Sequence, residues 1–214
     1  MSRNTSLLMA MLVVSSSTAM AVAAPLQWEV ATGGNGHWYE VVQASISWEE
    51  AQTAAAGRTV EVSEGQFVSG YLATITSAAE DEWLRSTLFP KPSSYQRAWL
   101  GGYQDLSDPG YSEPAGGWKW ITGEAWGYTN WEPGEPNDWL GQEHFLEIWF
   151  EDGPSHGYWN DHKLEPDAQS AAYVVEYVPE PATLLLLVLG GLAMMRRRRR
   201  AGVSQEGWRH WGPS

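Results

Sequence analysis

Apolar residues are massed at the two ends of the chain and dispersed between them. In the dispersed middle, Trp38-Tyr39-Glu40-Val41-Val42 alternates weakly and predicts a strand. Ser47-Trp48-Glu49-Glu50 follows, an N-cap serine with a glutamate three residues on, and the alanine-rich stretch to Ala56 continues that helix. Residues 57–70 are polar and punctuated by glycine, which predicts a loop. Tyr71-Leu72-Ala73-Thr74-Ile75 reads as a short strand. Ser77-Ala78-Ala79-Glu80 repeats the capping pattern and opens a helix through about Leu88. Trp83, Leu84 and Leu88 fall on one face of it, and Pro90 and Pro92 stop it. Ala98–Gly102 begins another strand. From Gly110 to Asp161 the chain is rich in Gly, Pro, Asn and Trp. Short strands at Trp118–Ile121, Phe145–Phe150 and Tyr158–Trp159 sit there among long irregular loops. Ala171–Tyr177 closes the series. Two early helices followed by short strands give an α+β class. A long structureless loop in a compact domain is usually functional.

The ends read differently. Residues 1–24 carry Arg3, the apolar run LLMAMLVV and the small-residue sequence Ala21-Val22-Ala23. That is the order of a secretory signal peptide, and the run is too short for a mature span. At the other end, apolar residues 182–195 precede Arg196–Arg200. The arginines place that side in the cytoplasm and the preceding domain outside. The expected division is therefore a signal peptide (1–24), one domain (25–177), a C-terminal membrane-directed segment (178–200) and a tail (201–214).

Composition adds three constraints. The chain has 214 residues, 43% of them hydrophobic, with 14 Trp, so one core with large aromatic anchors is expected. It has no Cys, so packing or metal must hold the long loops of an exported domain. The formal charge is −13, and residues 25–177 hold 24 acidic and six basic residues, a net charge near −18. Such a domain repels nucleic acid. It also repels itself unless cations neutralise some carboxylates.

The acidic residues are not evenly spread. Glu135, Asn137, Asp138, Glu143, Asn160 and Asp161 offer oxygen ligands within a short span. Calcium takes six to eight such oxygens, and Pro136 stiffens the loop that presents them. His37, His144, His156 and His162 lack zinc-ligand spacing. Glu135 and Glu143 can be imagined as a glycosidase pair, but they are better explained as ligands. No phosphate loop or nucleophile motif is present, so the chain reads as a binding protein and not an enzyme.

The segments SWEEAQ, GYLATITSAAEDEWL, AWLGGYQD, WKWITGE, YTNWEPGEPND, GQEHFLEIW, GYWND and YVVEY, in that order, resemble a C-type lectin domain over roughly residues 36–177. The resemblance implies two helices with a double-looped antiparallel sheet and a calcium site on the long loop. It implies Glu135, Asn137, Glu143, Asn160 and Asp161 as ligands of a principal Ca2+, with Asp138 beside them. It also implies that Glu135, Asn137, Glu143 and Asn160 hydrogen-bond the vicinal hydroxyls of a carbohydrate that complete the calcium shell. Glu-Pro-Asn implies mannose-type sugars. Trp139 stands where a tryptophan often packs on galactose, or it simply packs the loop. A second family site matches Asp138 and Glu143, with Asp105 near it and His144 where an Asp is usual. The family's two disulfides are missing: Phe145 and Leu164 stand at one pair, Val175 and a residue near Ala55 at the other. The sequence Pro179-Glu180-Pro181, the apolar stretch and the arginines resemble the PEP-CTERM sorting tail of Gram-negative bacteria. That resemblance implies transient membrane anchoring, processing by an exosortase, and delivery to the cell surface or extracellular matrix. The second reading keeps the fold but makes it a calcium-stabilised structural or protein-interaction module without sugar binding.

Overall fold

A computed structural model of the chain describes residues 24–89, 97–150, 153–166 and 170–179. The expected signal peptide, the stop at Pro90 and Pro92, and the C-terminal segment and tail beyond Pro179 lie outside the described residues. Among the described residues, no helix is long and apolar enough to cross a membrane.

Among the described residues, ten strands and two α-helices form in chain order: β1 (Leu26–Gln27), β2 (Trp38–Gln43), α1 (Trp48–Ala56), β3 (Thr59–Ser63), β4 (Gln66–Ser69), β5 (Tyr71–Leu72), α2 (Ala78–Thr87), β6 (Arg97–Gln104), β7 (Trp118–Trp120), β8 (Phe145–Trp149), β9 (Trp159–His162) and β10 (Ser170–Tyr177). The main sheet runs β1-β2-β10-β6-β8-β9, with β5 on β10 and β7 on β6. Every pairing in it is antiparallel except β10 with β6, so the sheet is mixed.

The central strands are buried on both faces, and their period of two sorts side chains into two cores. Ala172 and Val174 of β10, with Ala98 and Leu100 of β6, face one core. It is completed by Leu84 of α2 and the tryptophans Trp118, Trp120 and Trp159. Tyr173, Val175 and Tyr177 of β10, with Trp99 of β6, face the other, under Trp48, Ala51 and Ala55 of α1. The buried indoles of Trp48 and Trp99 find acceptors in the carbonyls of Leu100 (2.7 Å) and Ile46 (2.9 Å). A buried Trp is tolerated when its N–H is so paired.

Both helix starts lie where expected. Ser47 and Glu50 form the full reciprocal box. Ser77 caps α2 through the Glu80 N–H, but the Glu80 carboxylate reaches further back, to the N–H (2.8 Å) and Oγ1 (3.1 Å) of Thr76. It also accepts from Tyr39 Oη (2.6 Å). The expected loop at 57–70 is instead the hairpin β3–β4, a separate two-stranded sheet. Polar residues hide it, but Val60, Val62, Phe67 and Val68 flank Glu64-Gly65, and Gly65 supplies the positive φ (+74°) of the turn. The expected strand at 71–75 pairs as a strand over Tyr71–Leu72 alone.

The residues expected at the positions of the two disulfides lie in apolar packing. Phe145 and Leu164 pack against the core that holds Trp48, and Phe145 lies 4.9 Å from the Trp48 ring. Ala55 and Val175 are both fully buried in that same core.

Candidate functional site

The long loop between β7 and β8 is pinned at Trp131. A parallel bridge joins Trp131 to Trp159 of β9. The Glu132 N–H donates to the Trp159 carbonyl (2.9 Å), and the Trp159 N–H donates to Asn130 (2.8 Å). Trp118, Trp126 and Trp131 crowd together beneath the loop, and Trp159 meets Trp131 edge-on at 6.0 Å. With Trp131 and Trp159 fixed side by side, the residues just after each are brought together. These are Glu135, Asn137 and Asp138 from the loop, and Asn160 and Asp161 from β9.

The local geometry is specific. A turn closes at Glu135, whose N–H donates to the Glu132 carbonyl (2.8 Å), and the Glu135–Pro136 peptide is cis. The buried Asp161 carboxylate accepts the N–H groups of Asn137 (3.0 and 3.1 Å) and Asp138 (2.7 Å). Glu143 accepts the Trp139 N–H (2.9 Å), and Asp138 accepts the Glu143 N–H (3.2 Å). Asp138 and Leu140 both lie in the left-handed region (φ 47° and 62°). Asp tolerates that region, whereas for Leu it costs on the order of 1 kcal/mol. Trp139 and Leu140 are 66% and 78% exposed, so Trp139 presents its ring outward and does not pack the loop.

Asn137, Glu143 and Asn160 line one open pocket of about 410 Å³ with Trp139. Asn160 is oriented by a residue the sequence did not single out. Its Nδ2 donates to Glu147 Oε1 (2.9 Å), and Glu147 is wholly buried between Asn160, the Trp149 indole and Arg97. Glu147 sits on the expected strand at 145–150. Only the β8–β9 register, with Glu147 opposite Asn160, shows that it backs the site. Arg97, Trp149, His162 and Lys163 also line this pocket and carry no motif that marks them in the sequence.

The cluster is electrostatically unbalanced. Glu135 Oε2 is buried and has no hydrogen-bond partner. Burial pushes the Glu135 carboxyl up to about 7, helped by the adjacent Asp161 carboxylate and then by Glu143 and Glu132. Burial likewise raises Glu143 to about 6, with the Asp161 charge adding to it. Carboxylates that resist ionisation, with an orphaned oxygen on Glu135, are what a hard cation resolves. Glu135, Glu143 and Asp161 do not, however, close to within 4.8 Å of one another as Glu113, Asp138 and His144 do. The donor set of three carboxylates (Glu135, Glu143, Asp161) and two carboxamides (Asn137, Asn160) suits calcium.

The second cluster is arranged differently. The Lys119 ammonium bridges Asp105 and Asp108, at 2.7 Å from each, and holds the Asp105 carboxyl down near 2. His144 Nδ1 meets Gln104 Oε1 at 2.9 Å, and Glu113 lies at 3.6 Å from it. Lys119 therefore already neutralises Asp105, one of the acids expected near a second ion, while Glu113, Asp138 and His144 gather on their own within 4.8 Å.

Residues 44–174 match the family described as the lectin C-type domain. The chain belongs to the C-type lectin domain family. Calcium is a typical ligand of this family, and its members are generally not enzymes. Residues 178–200 match the PEP-CTERM protein-sorting motif, which implies export to the cell surface or beyond it. The chain is similar to halomucin of Haloquadratum walsbyi, at 33% identity over 162 residues, 70% of this chain but 2% of that protein. It is also similar to the C-type lectin lectoxin-Lio1 of Erythrolamprus poecilogyrus, at 30% identity over 71% of this chain and 82% of the relative. The chain spans about half, 48%, of the mouse regenerating islet-derived protein 3-gamma. Among solved structures, the C-type lectin CEL-I from Cucumaria echinata superposes with a TM-score of 0.51 at 22% identity. That match covers 66% of this chain and 90% of CEL-I. Human lithostathine superposes with a TM-score of 0.51 at 15% identity, over 67% and 92% of the two chains. These structural likenesses establish the C-type lectin fold.

Proposed function

We propose that the chain is an exported, calcium-dependent carbohydrate-binding protein of the cell surface or extracellular matrix. The observation that carries this reading is the unbalanced oxygen cluster. Glu135, Asn137, Glu143, Asn160 and Asp161 come from two segments pinned together by Trp131 and Trp159, and Glu135 Oε2 is buried without a partner. Glu135, Asn137, Glu143, Asn160 and Asp161 would hold the ion, with Asp138 beside them. Bound calcium supplies open coordination positions for two vicinal sugar hydroxyls. The protein groups then do the recognising: carboxylate oxygens of Glu135 and Glu143 accept from those hydroxyls, and the amide groups of Asn137 and Asn160 donate. Hydrogen bonds to the charged carboxylates are stronger than neutral ones. Glu147 orients the Asn160 amide by taking one of its two N–H donors and leaving the other for the sugar. The exposed Trp139 ring lies at the pocket rim, available to an apolar sugar face.

Residues 1–24 serve as the export signal. The C-terminal segment acts as a transient membrane anchor until an exosortase processes it near Pro179.

A glycan array in the presence and absence of chelator, on wild type and Asn137→Asp, tests the binding. The variant swaps the amide donors for a second acceptor and is expected to weaken binding by about tenfold or more. Binding that vanishes with chelator supports the proposal. Absence of any chelator-sensitive binding rejects it and leaves a structural or protein-interaction module as the reading.

A further inference from the structure

The pocket beside the oxygen cluster is lined by groups of opposite charge. Asn137 and Glu143 line it, and so do the cations Arg97 and Lys163. This placement matters because cations are scarce in the domain, six against 24 acidic residues over 25–177. Most of the described ones are committed elsewhere. Arg58 is paired with Glu40, Arg85 with Asp81 and Glu82, and Lys119 with Asp105 and Asp108. The other two described cations, Arg97 and Lys163, line this pocket.

Their roles differ. Arg97 is mostly buried, with its Nη1 3.3 Å from Glu147 Oε1 and its guanidinium 4.9 Å over the Trp149 ring. It is a fixed, partly neutralised cation in the floor. Lys163 is exposed at the rim and makes no ion pair among the described residues. Its backbone is held in place, because the Lys163 carbonyl accepts from His162 Nδ1 (3.0 Å) at the end of β9. Lys163 and Asn160 line the same pocket, so a ligand that fills it from the cluster meets both residues.

We propose that the part of the pocket lined by Arg97 and Lys163 is a subsite for the anionic substituent of an acidic glycan, a uronate carboxylate or a sulfate ester. The inference rests on the proposed carbohydrate binding, and names its substrate class. With the sugar hydroxyls at the cluster, the substituent turns towards Lys163, and the Arg97 guanidinium adds field from below. The domain's net charge near −18 opposes a polyanion at long range, but at physiological salt that repulsion is screened beyond roughly 8 Å. Contact with Lys163 then decides the preference.

The test compares oligosaccharide pairs by calorimetry at saturating calcium and physiological salt. One pair is an oligouronate and its carboxyl-reduced counterpart; the other is a sulfated oligosaccharide and its desulfated form. Each is measured on wild type and Lys163→Ala. The acidic member of at least one pair is expected to bind about fivefold more tightly than its neutral partner, the scale of one exposed charge pair. That ratio is expected to fall to near one in Lys163→Ala. Which pair shows the preference identifies the substituent. Calcium-dependent binding with equal affinity for both members of both pairs, or a preference that survives in Lys163→Ala, overturns the inference and leaves the proposed function standing. A Lys163-dependent preference that persists in chelator upholds the subsite and overturns the calcium role. No binding of any member overturns both.

Discussion

Asp81 illustrates how one side chain can carry a conflict that the fold tolerates. It is almost fully buried on α2, where its carboxylate accepts from the Trp159 indole (3.1 Å) and Asn130 Nδ2 (3.1 Å) and pairs with Arg85 (3.1 Å). Burial outweighs these partners and raises the carboxyl to about 6. The unfolded value lies near 3.9. Between about pH 4 and 6 the folded state therefore binds more protons than the unfolded one. Stability from this group falls as pH rises through that window, and grows on acidification. In urea melts with excess chelator, wild type is expected to gain stability relative to Asp81→Asn as pH drops from 7 to 4.5. Parallel pH profiles for the two proteins would rule this out. Tyr39 holds a comparable position, with its hydroxyl 2.6 Å from Glu80 and 3.2 Å from Glu176, two buried carboxylates that it keeps hydrogen-bonded. Burial and those two charges drive the Tyr39 phenol far above its ordinary range, so it remains a donor at all working pH values.

At the scale of elements, the two helix starts show what a local motif does and does not guarantee. The Ser47–Glu50 box closes on itself: Ser47 Oγ accepts the Glu50 N–H, and Glu50 Oε2 accepts the Ser47 N–H (2.9 Å). Ser47→Ala is expected to cost about 1 kcal/mol, read from the denaturation midpoint, because the cap donors of α1 lose their acceptor. A cost below a few tenths would mean that the tertiary contacts of Trp48, Ala51 and Ala55 alone hold α1 in place. At α2 the same sequence pattern forms only half the box. Tyr39 from β2 competes for Glu80, a partner 41 residues away that no local pattern contains. The hairpin β3–β4 carries only a weak local signal. Val60 and Val62 do alternate with polar residues, but none of the hairpin's residues is fully buried and Phe67 is 63% exposed, so the signal is weak beside Gly57, Gly65 and Gly70.

For the whole molecule, the missing disulfides shift the burden of holding the long loop. Phe145, Leu164, Val175 and Ala55, at or near the positions where the resemblance implies two bridges, sit in apolar packing, which does not constrain the unfolded chain as a covalent link does. Calcium bound only to the folded state would add about 2.7 kcal/mol at a hundredfold excess over its Kd. At roughly 2–4 °C per kcal/mol for a domain of this size, chelation is expected to lower Tm by about 5–10 °C in calorimetry. An unchanged melting curve in excess chelator would show that the Trp131–Trp159 clamp and the aromatic packing hold the loop without an ion.

The sequence by itself determined the class, the two helices, most strands and the chemistry of the oxygen cluster. Those follow from short-range patterns: caps, alternation, and ligand types gathered in Glu135–Asp161. Tertiary structure alone decided which groups meet across the chain. It set Trp131 against Trp159 so that two segments converge, and it put Glu147 behind Asn160. It committed Lys119 to Asp105 and Asp108, and brought Arg97 and Lys163 to one pocket. It also pointed Trp139 outward. The reason is physical: helix caps and strand alternation act over a few residues, whereas pairing across a sheet and burial of charge depend on neighbours tens of residues away.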